Sequence, residues 1–260
     1  MLIDTHCHIN FDSYDADRAD ILARAASAGV TTIINPAVDL ETTEAALALS
    51  EAYHGVYAAA GLPDPHTPAG DLRLLAIDIE TTGLDPDRDI LLSIGFVPVD
   101  GYAITLAGAR SVRVRPPAGH AGVGASATIH GLTDDAVEAG IPASEALDVV
   151  AEALTGRVLL AHHAPIEVGF LSRLCREVSG AELPCRVVDT MELARRAYPP
   201  HIDPPPGALR LWAARERHGL PVYAAHDALL DALACAELYL AQLAEIEARS
   251  DRPITVDRLT

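Results

Sequence analysis

The sequence predicts an α/β chain in two units: an N-terminal parallel βαβαβ segment and a larger mixed sheet flanked by helices. Three observations carry this reading. Strand-like and helix-like segments alternate from Leu2 to Ala60. Three prolines and two glycines then crowd Gly61–Gly70 and interrupt the pattern. The alternation restarts at Leu72 with three strand-like runs before helices begin. We therefore divide the chain into residues 1–62, a linker at 63–71, a main domain at 72–247 and a C-terminal tail at 248–260, weakly ordered over Ser250–Thr260.

In the first unit, Leu2–Thr5 reads as a strand and Ala16–Ala28 as a helix, closed by Gly29 as a C′ glycine. Thr31–Asn35 is β-branched and strand-like. Leu40–Tyr53 is helical with Asp39 as its N-cap, and Val56–Ala60 is a third strand. In the second unit, Leu74–Ile79, Ile90–Val99 and Arg110–Val114 read as strands. Helices follow at Thr133–Ala139 and Ser144–Leu154. A short strand at Val158–Ala161 leads into a helix opened by Pro165. Val187–Asp189 is another short strand, followed by helices at Met191–Ala197, Ala208–His218 and Ala228–Glu247. In the last helix, Leu229, Leu233, Ala236, Leu240 and Leu243 recur at helical spacing as its expected core face.

Composition narrows the function classes. Half of the 260 residues are apolar, so a sizeable core is available. No apolar run approaches the ~18 residues of a membrane span, which reads as a soluble, cytoplasmic protein with no membrane partner. Cys7, Cys175, Cys185 and Cys235 show no CxxC spacing and read as reduced thiols. The net charge is −18 and the chain contains no lysine. Such acidity argues against coating nucleic acid non-specifically through a cationic surface. It leaves room for an enzyme that meets phosphate through bound cations.

The most informative stretch is Ala76-Ile77-Asp78-Ile79-Glu80-Thr81-Thr82-Gly83. It sets two carboxylates one residue apart in a run that otherwise reads as buried strand. Alternate strand side chains share a face, so Asp78 and Glu80 point the same way. Burying two like charges together is costly unless something positive lies between them, and a divalent cation with hard oxygen ligands answers that need. Two later segments carry further candidates: His162-His163-Ala164-Pro165-Ile166-Glu167, and His226-Asp227-Ala228-Leu229-Leu230-Asp231. His226 and Asp231 are five apart, about 140° around a helix. They converge only if His226 precedes the helix, Asp231 lies in its first turns and Asp227 is the N-cap.

Together these segments resemble the DEDDh, DnaQ-like 3′-5′ exonucleases, which include epsilon proofreading subunits of DNA polymerase III. The resemblance covers about Leu72–Leu243, including Ser126–Thr133 and Val188-Asp189-Thr190-Met191. It implies an RNase H-like fold with two divalent metal ions, Mg2+ or Mn2+. It implies Asp78, Glu80, Glu167 and Asp231 as metal ligands, His226 as general base, and Thr81, Thr82, Gly83 and His130 as substrate contacts. It also implies release of nucleoside 5′-monophosphates from single-stranded or frayed DNA 3′ ends, in DNA replication or repair beside a polymerase. Two departures stand out: Glu167 takes a position usually held by aspartate, and His163 one where asparagine is frequent. The alternatives are an exoribonuclease and an inactive exonuclease fold serving as a binding or scaffolding module.

The opening Met1-Leu2-Ile3-Asp4-Thr5-His6-Cys7-His8-Ile9 resembles TatD-type metal-dependent deoxyribonucleases, which are TIM barrels. That resemblance continues through Gly29–Asn35 to Tyr57–Gly61. A barrel needs eight strands and roughly 250 residues, and this segment supplies three strands. It is expected to be an incomplete barrel in which His6 and His8 lack the rest of a metal site.

Overall fold

The computed structural model describes residues 2–4, 7–37, 40–59, 64–117, 133–180, 183, 185–224 and 226–260. They divide into two compact units, Met1–Asp64 and Pro65–Thr260.

In the first unit, β1 (Leu2–Asp4), β2 (Val30–Pro36) and β3 (Val56–Ala59) form a parallel sheet in that order. The helices α1 (Arg18–Ser27) and α2 (Leu40–Ala52) make the crossovers that parallel neighbours require. Gly29 ends α1 with a φ of +91°, the left-handed geometry expected of a C′ glycine. Three strands do not close a barrel, and Leu2 and Ile3 on β1 are more than half exposed. His8 is half-buried and stacks on Phe11 with ring centroids 4.8 Å apart. His6 and Asp39 lie outside the described residues.

The second unit is built on a six-stranded mixed sheet. Its strands are β4 (Arg73–Thr81), β5 (Leu91–Asp100), β6 (Ala103–Ile104), β7 (Arg110–Arg113), β8 (Val158–Ala161) and β9 (Val187–Asp189). They run in the order β6-β5-β4-β8-β9, with β7 also paired to β5. The β4–β5 and β5–β7 pairs are antiparallel, whereas β4, β8 and β9 are mutually parallel. The central strand β4 is covered on both faces, which explains its almost unbroken apolar run. Leu75, Ile77 and Ile79 pack under α4 (Ala143–Leu154) and α5 (Pro165–Ser179), which follow the short α3 (Asp134–Glu138). Leu74 and Ala76 face α8 (Ala228–Ala248), beyond α6 (Thr190–Arg196) and α7 (Leu211–Arg217). Alternation therefore turns Asp78 and Glu80 toward the α8 side.

Two expectations are corrected. The tail is not weakly ordered. Ile254, Val256 and Leu259 are buried in the core that holds Leu72 and Leu74, and Val256–Leu259 forms a last helix, α9. This tail is held by residues expected to be linker. Ala69 N donates to Ile254 O at 2.7 Å, Val256 N to Thr67 O at 3.1 Å, and Asp257 N to Pro65 O at 2.9 Å. Each buried aliphatic side chain contributes roughly 1.5–3 kcal/mol, enough for three of them to order a short segment.

The core face of α8 is also broader than predicted. Ala236 and Leu243 are buried, but Leu229, Leu233 and Leu240 are only half-buried. Ala232, Cys235, Leu238 and Tyr239 are more deeply enclosed. The helix lies between the sheet on one side and α6 and α7 on the other, so small residues as well as leucines are buried.

Candidate active site

The carboxylates gather where β4 runs out beside the start of α8. On β4, Asp78 pairs with Gly95 of β5. A side chain at Gly95 would place its Cβ 2.1 Å from the Ala228 carbonyl carbon and from Leu229 N. Only glycine lets the first turn of α8 approach that closely. This approach brings Asp231 to the strand carboxylates.

The α8 N-terminus has the geometry that the five-residue spacing requires. Asp227 is the N-cap, its Oδ1 accepting from Leu229 N at 3.1 Å and Leu230 N at 3.0 Å. His226 stands just before it in a left-handed conformation, φ +67°. Its backbone N–H donates to Asp231 Oδ2 at 2.9 Å. This turn folds the loop back over the helix. Side-chain ligand atoms of Glu80, His226 and Asp231 then lie within 4.8 Å of one another.

Glu167 arrives from a third element. It occupies the first turn of α5, behind Pro165, and is only 4% exposed. Asp189 sets the loop that delivers it. Its Oδ1 accepts from His163 N at 3.0 Å and Met191 N at 2.8 Å, while Oδ2 accepts from Ala164 N at 3.0 Å. His163 adopts φ +76° here, a region where asparagine is enriched. Next to it, His162 is enclosed between Thr190 Oγ1 at 2.8 Å and the Leu209 carbonyl at 2.9 Å. Burial lowers its pKa to about 4, so it is a neutral structural residue.

Mutual repulsion and burial mark the cluster electrostatically. Asp78 is pushed well above the usual carboxylate range, first by burial and then by Glu167, Asp231, Glu80 and Asp227. Glu80 rises to about 7 through burial and the charges of Asp231 and Asp227. Glu167 rises to about 8, chiefly through burial, with Asp189 adding to the effect. Asp231 is raised by burial, although the His226 N–H pulls the other way. Two buried carboxylate oxygens, Glu167 Oε2 and Asp231 Oδ1, have no hydrogen-bond partner among the described residues. Orphaned oxygens in a crowded set of hard anionic donors fit divalent cations.

Of the remaining candidates, Thr81 and Thr82 build the loop that leaves β4. Thr81 Oγ1 donates to Gly83 O at 2.5 Å; Thr82 Oγ1 donates to Asp89 Oδ1 at 3.1 Å and accepts from Ile90 N at 3.0 Å. Gly83 lies against the Asp89 carboxylate, where a Cβ would be 2.4 Å from an oxygen. His130 lies outside the described residues. Sequence reasoning missed Gly95, Asp189 as loop organiser, and Arg173, which donates to the Pro86 and Asp89 carbonyls and ties this loop to α5. A glycine inside an apolar strand and an aspartate ahead of a helical run were the available signals.

Residues 75–239 match the Exonuclease (RNase_T) family, and residues 3–68 match the TatD related DNase family. Both resemblances read from the motifs are borne out. The chain is 30% identical over 175 residues to the DNA polymerase III subunit epsilon of Treponema pallidum, covering 65% of this chain and 75% of that one. Over 60 residues it is 50% identical to the uncharacterized metal-dependent hydrolase YjjV of Escherichia coli, covering 23% of each chain. Escherichia coli exonuclease I in complex with a dT13 oligonucleotide shares the fold, with a TM-score of 0.57 at 16% identity. That likeness covers 69% of this chain and 43% of the other. The chain thus spans under a quarter of the hydrolase and under half of exonuclease I, but three quarters of the epsilon subunit. By the extent of the match and by its epsilon relative, the chain belongs to the RNase_T exonuclease family.

Proposed function

We propose that the chain is a metal-dependent 3′-5′ exonuclease that releases nucleoside 5′-monophosphates from single-stranded or frayed DNA ends. One observation carries this reading: Glu80 of β4 and Asp231 of α8 meet the exposed His226, with Asp78 and Glu167 near enough to repel each other. Asp78, Glu80, Glu167 and Asp231 would hold two Mg2+ or Mn2+ ions. Bound there, such ions would stabilise the attacking and leaving oxygens of an in-line displacement.

The protein's own groups do the rest. His226 is exposed, and its ring lies beside Glu80 and Asp231, where it can take a proton from an attacking water. The Asp227 cap and the His226 N–H to Asp231 fix that loop against the helix, so base and carboxylate keep their spacing. Glu167 reaches one methylene farther than aspartate from its backbone, and the Asp189 bonds to the preceding loop set its starting point. We place the enzyme in the cytoplasm, in DNA replication or repair, with a DNA polymerase as partner.

Product analysis tests the proposal. Purified protein with Mn2+ and an unlabelled single-stranded oligonucleotide should yield nucleoside 5′-monophosphates by mass spectrometry. Matched RNA run in parallel decides between DNA and RNA. Release of 3′-monophosphates, or of internal fragments only, would overturn the reading.

A further inference from the structure

A second cavity lies at the far end of α8, lined by α6, α7 and the segment running through α9. A cavity of about 300 Å3 opens there, the lower end of the range for small-molecule sites. Along α8, Gln242 in its wall is roughly 16 Å from Asp231.

Four arginines line it: Arg196, Arg217, Arg249 and Arg258. Glu245 is the sole carboxylate in the lining among the described residues. In a chain of net charge −18 this is a marked local reversal. Two of the four charges are locally answered, Arg196 by Glu192 at 3.4 Å and Arg249 by Glu245. The other two have no carboxylate partner among the described residues. Arg217 stacks over Tyr198 at 4.8 Å, and Arg258 donates to Ser250 Oγ at 3.2 Å. Leu193, Ala194, Ala214 and Ile246 give the cavity an apolar part of its wall. Gln242, 4% exposed, donates through Nε2 to Thr190 O at 2.9 Å, and its Oε1 has no partner among the described residues.

Guanidinium groups suit phosphate, and an apolar wall suits a ring. We propose that this cavity binds a small phosphorylated molecule carrying an apolar ring, of about the size of a nucleoside monophosphate. Arg217 and Arg258 take the phosphate, and the ring lies on the Leu193–Ile246 wall. The site is separate from the carboxylate cluster and needs no divalent ion.

Isothermal titration of the full chain with thymidine 5′-monophosphate in EDTA tests this. The expected Kd is below about 1 mM. Asp78→Asn should leave it unchanged, and Arg217→Glu should weaken it at least ten-fold. Arg258→Gln serves as a second probe should Arg217→Glu fail to fold by circular dichroism. Binding that is lost in Asp78→Asn, or is indifferent to both arginine changes, overturns the proposal. So do inorganic phosphate binding as tightly as the nucleotide, and no binding at all.

Discussion

Replacing Glu167 by glutamine should stabilise the metal-free protein, and the gain should grow with pH. The carboxyl is nearly fully buried, with a pKa raised from 4.5 to about 8. The folded state therefore keeps a proton that the unfolded state releases above about pH 4.5. Between these values the folded state binds more protons, so stability falls as pH rises. At pH 7 the gap is about 2.5 pH units, and at 1.36 kcal/mol per unit the penalty is roughly 3 kcal/mol as an upper bound. Glutamine has nearly the same shape and carries no charge. For a domain of this size, 3 kcal/mol corresponds to a Tm rise of about 6–12 °C. Calorimetry in EDTA at pH 5, 6, 7 and 8 measures it. The two proteins should nearly coincide at pH 5 and separate steadily toward pH 8. Adding Mn2+ should raise the Tm of wild type more than that of the variant, which keeps Asp78, Glu80 and Asp231. A constant difference at all pH values, or a variant less stable than wild type at pH 8, would refute the reasoning.

Other substitutions probe how the site is held together. Gly95→Ala puts a Cβ into the α8 backbone; it should cost about 1–3 kcal/mol by denaturant unfolding and lower turnover at least a hundred-fold. Unchanged turnover there would show that the close approach of α8 does not place Asp231. Asp189→Ala removes three backbone contacts; we expect about 2 kcal/mol of destabilisation and a clear fall in kcat, by misplacing the loop before Glu167. Removing residues 1–64 should leave activity largely intact. Removing residues 1–71 should lower Tm sharply, because Thr67 and Ala69 hold the C-terminal segment. Equal behaviour of the two truncations would contradict the division at Asp64.

Much of the site was legible because its chemistry is local in sequence. Asp78 and Glu80 share a strand face by alternation alone. The His226–Asp231 spacing required a cap at Asp227, and that cap is present. Long-range features were not legible. Nothing near Gly95 announces that a helix 133 residues later presses on it. The tail read as polar because Ile254, Val256 and Leu259 are spread among eight other residues in Ser250–Thr260, and their burial depends on the partners at Thr67 and Ala69. The extra breadth of the α8 core likewise comes from α6 and α7 packing on its far side, which a single-helix pattern does not encode.

A time course on a 5′-labelled single-stranded oligonucleotide, with wild type and Asp78→Asn in Mn2+ and in EDTA, tests whether the carboxylate cluster is a metal-dependent 3′-5′ exonuclease site. Wild type with Mn2+ should give a ladder shortening one nucleotide at a time from the 3′ end. No shortening should occur in EDTA, and the variant should shorten the strand at least a thousand-fold more slowly. A ladder that survives Asp78→Asn, or that forms in EDTA, would contradict that assignment.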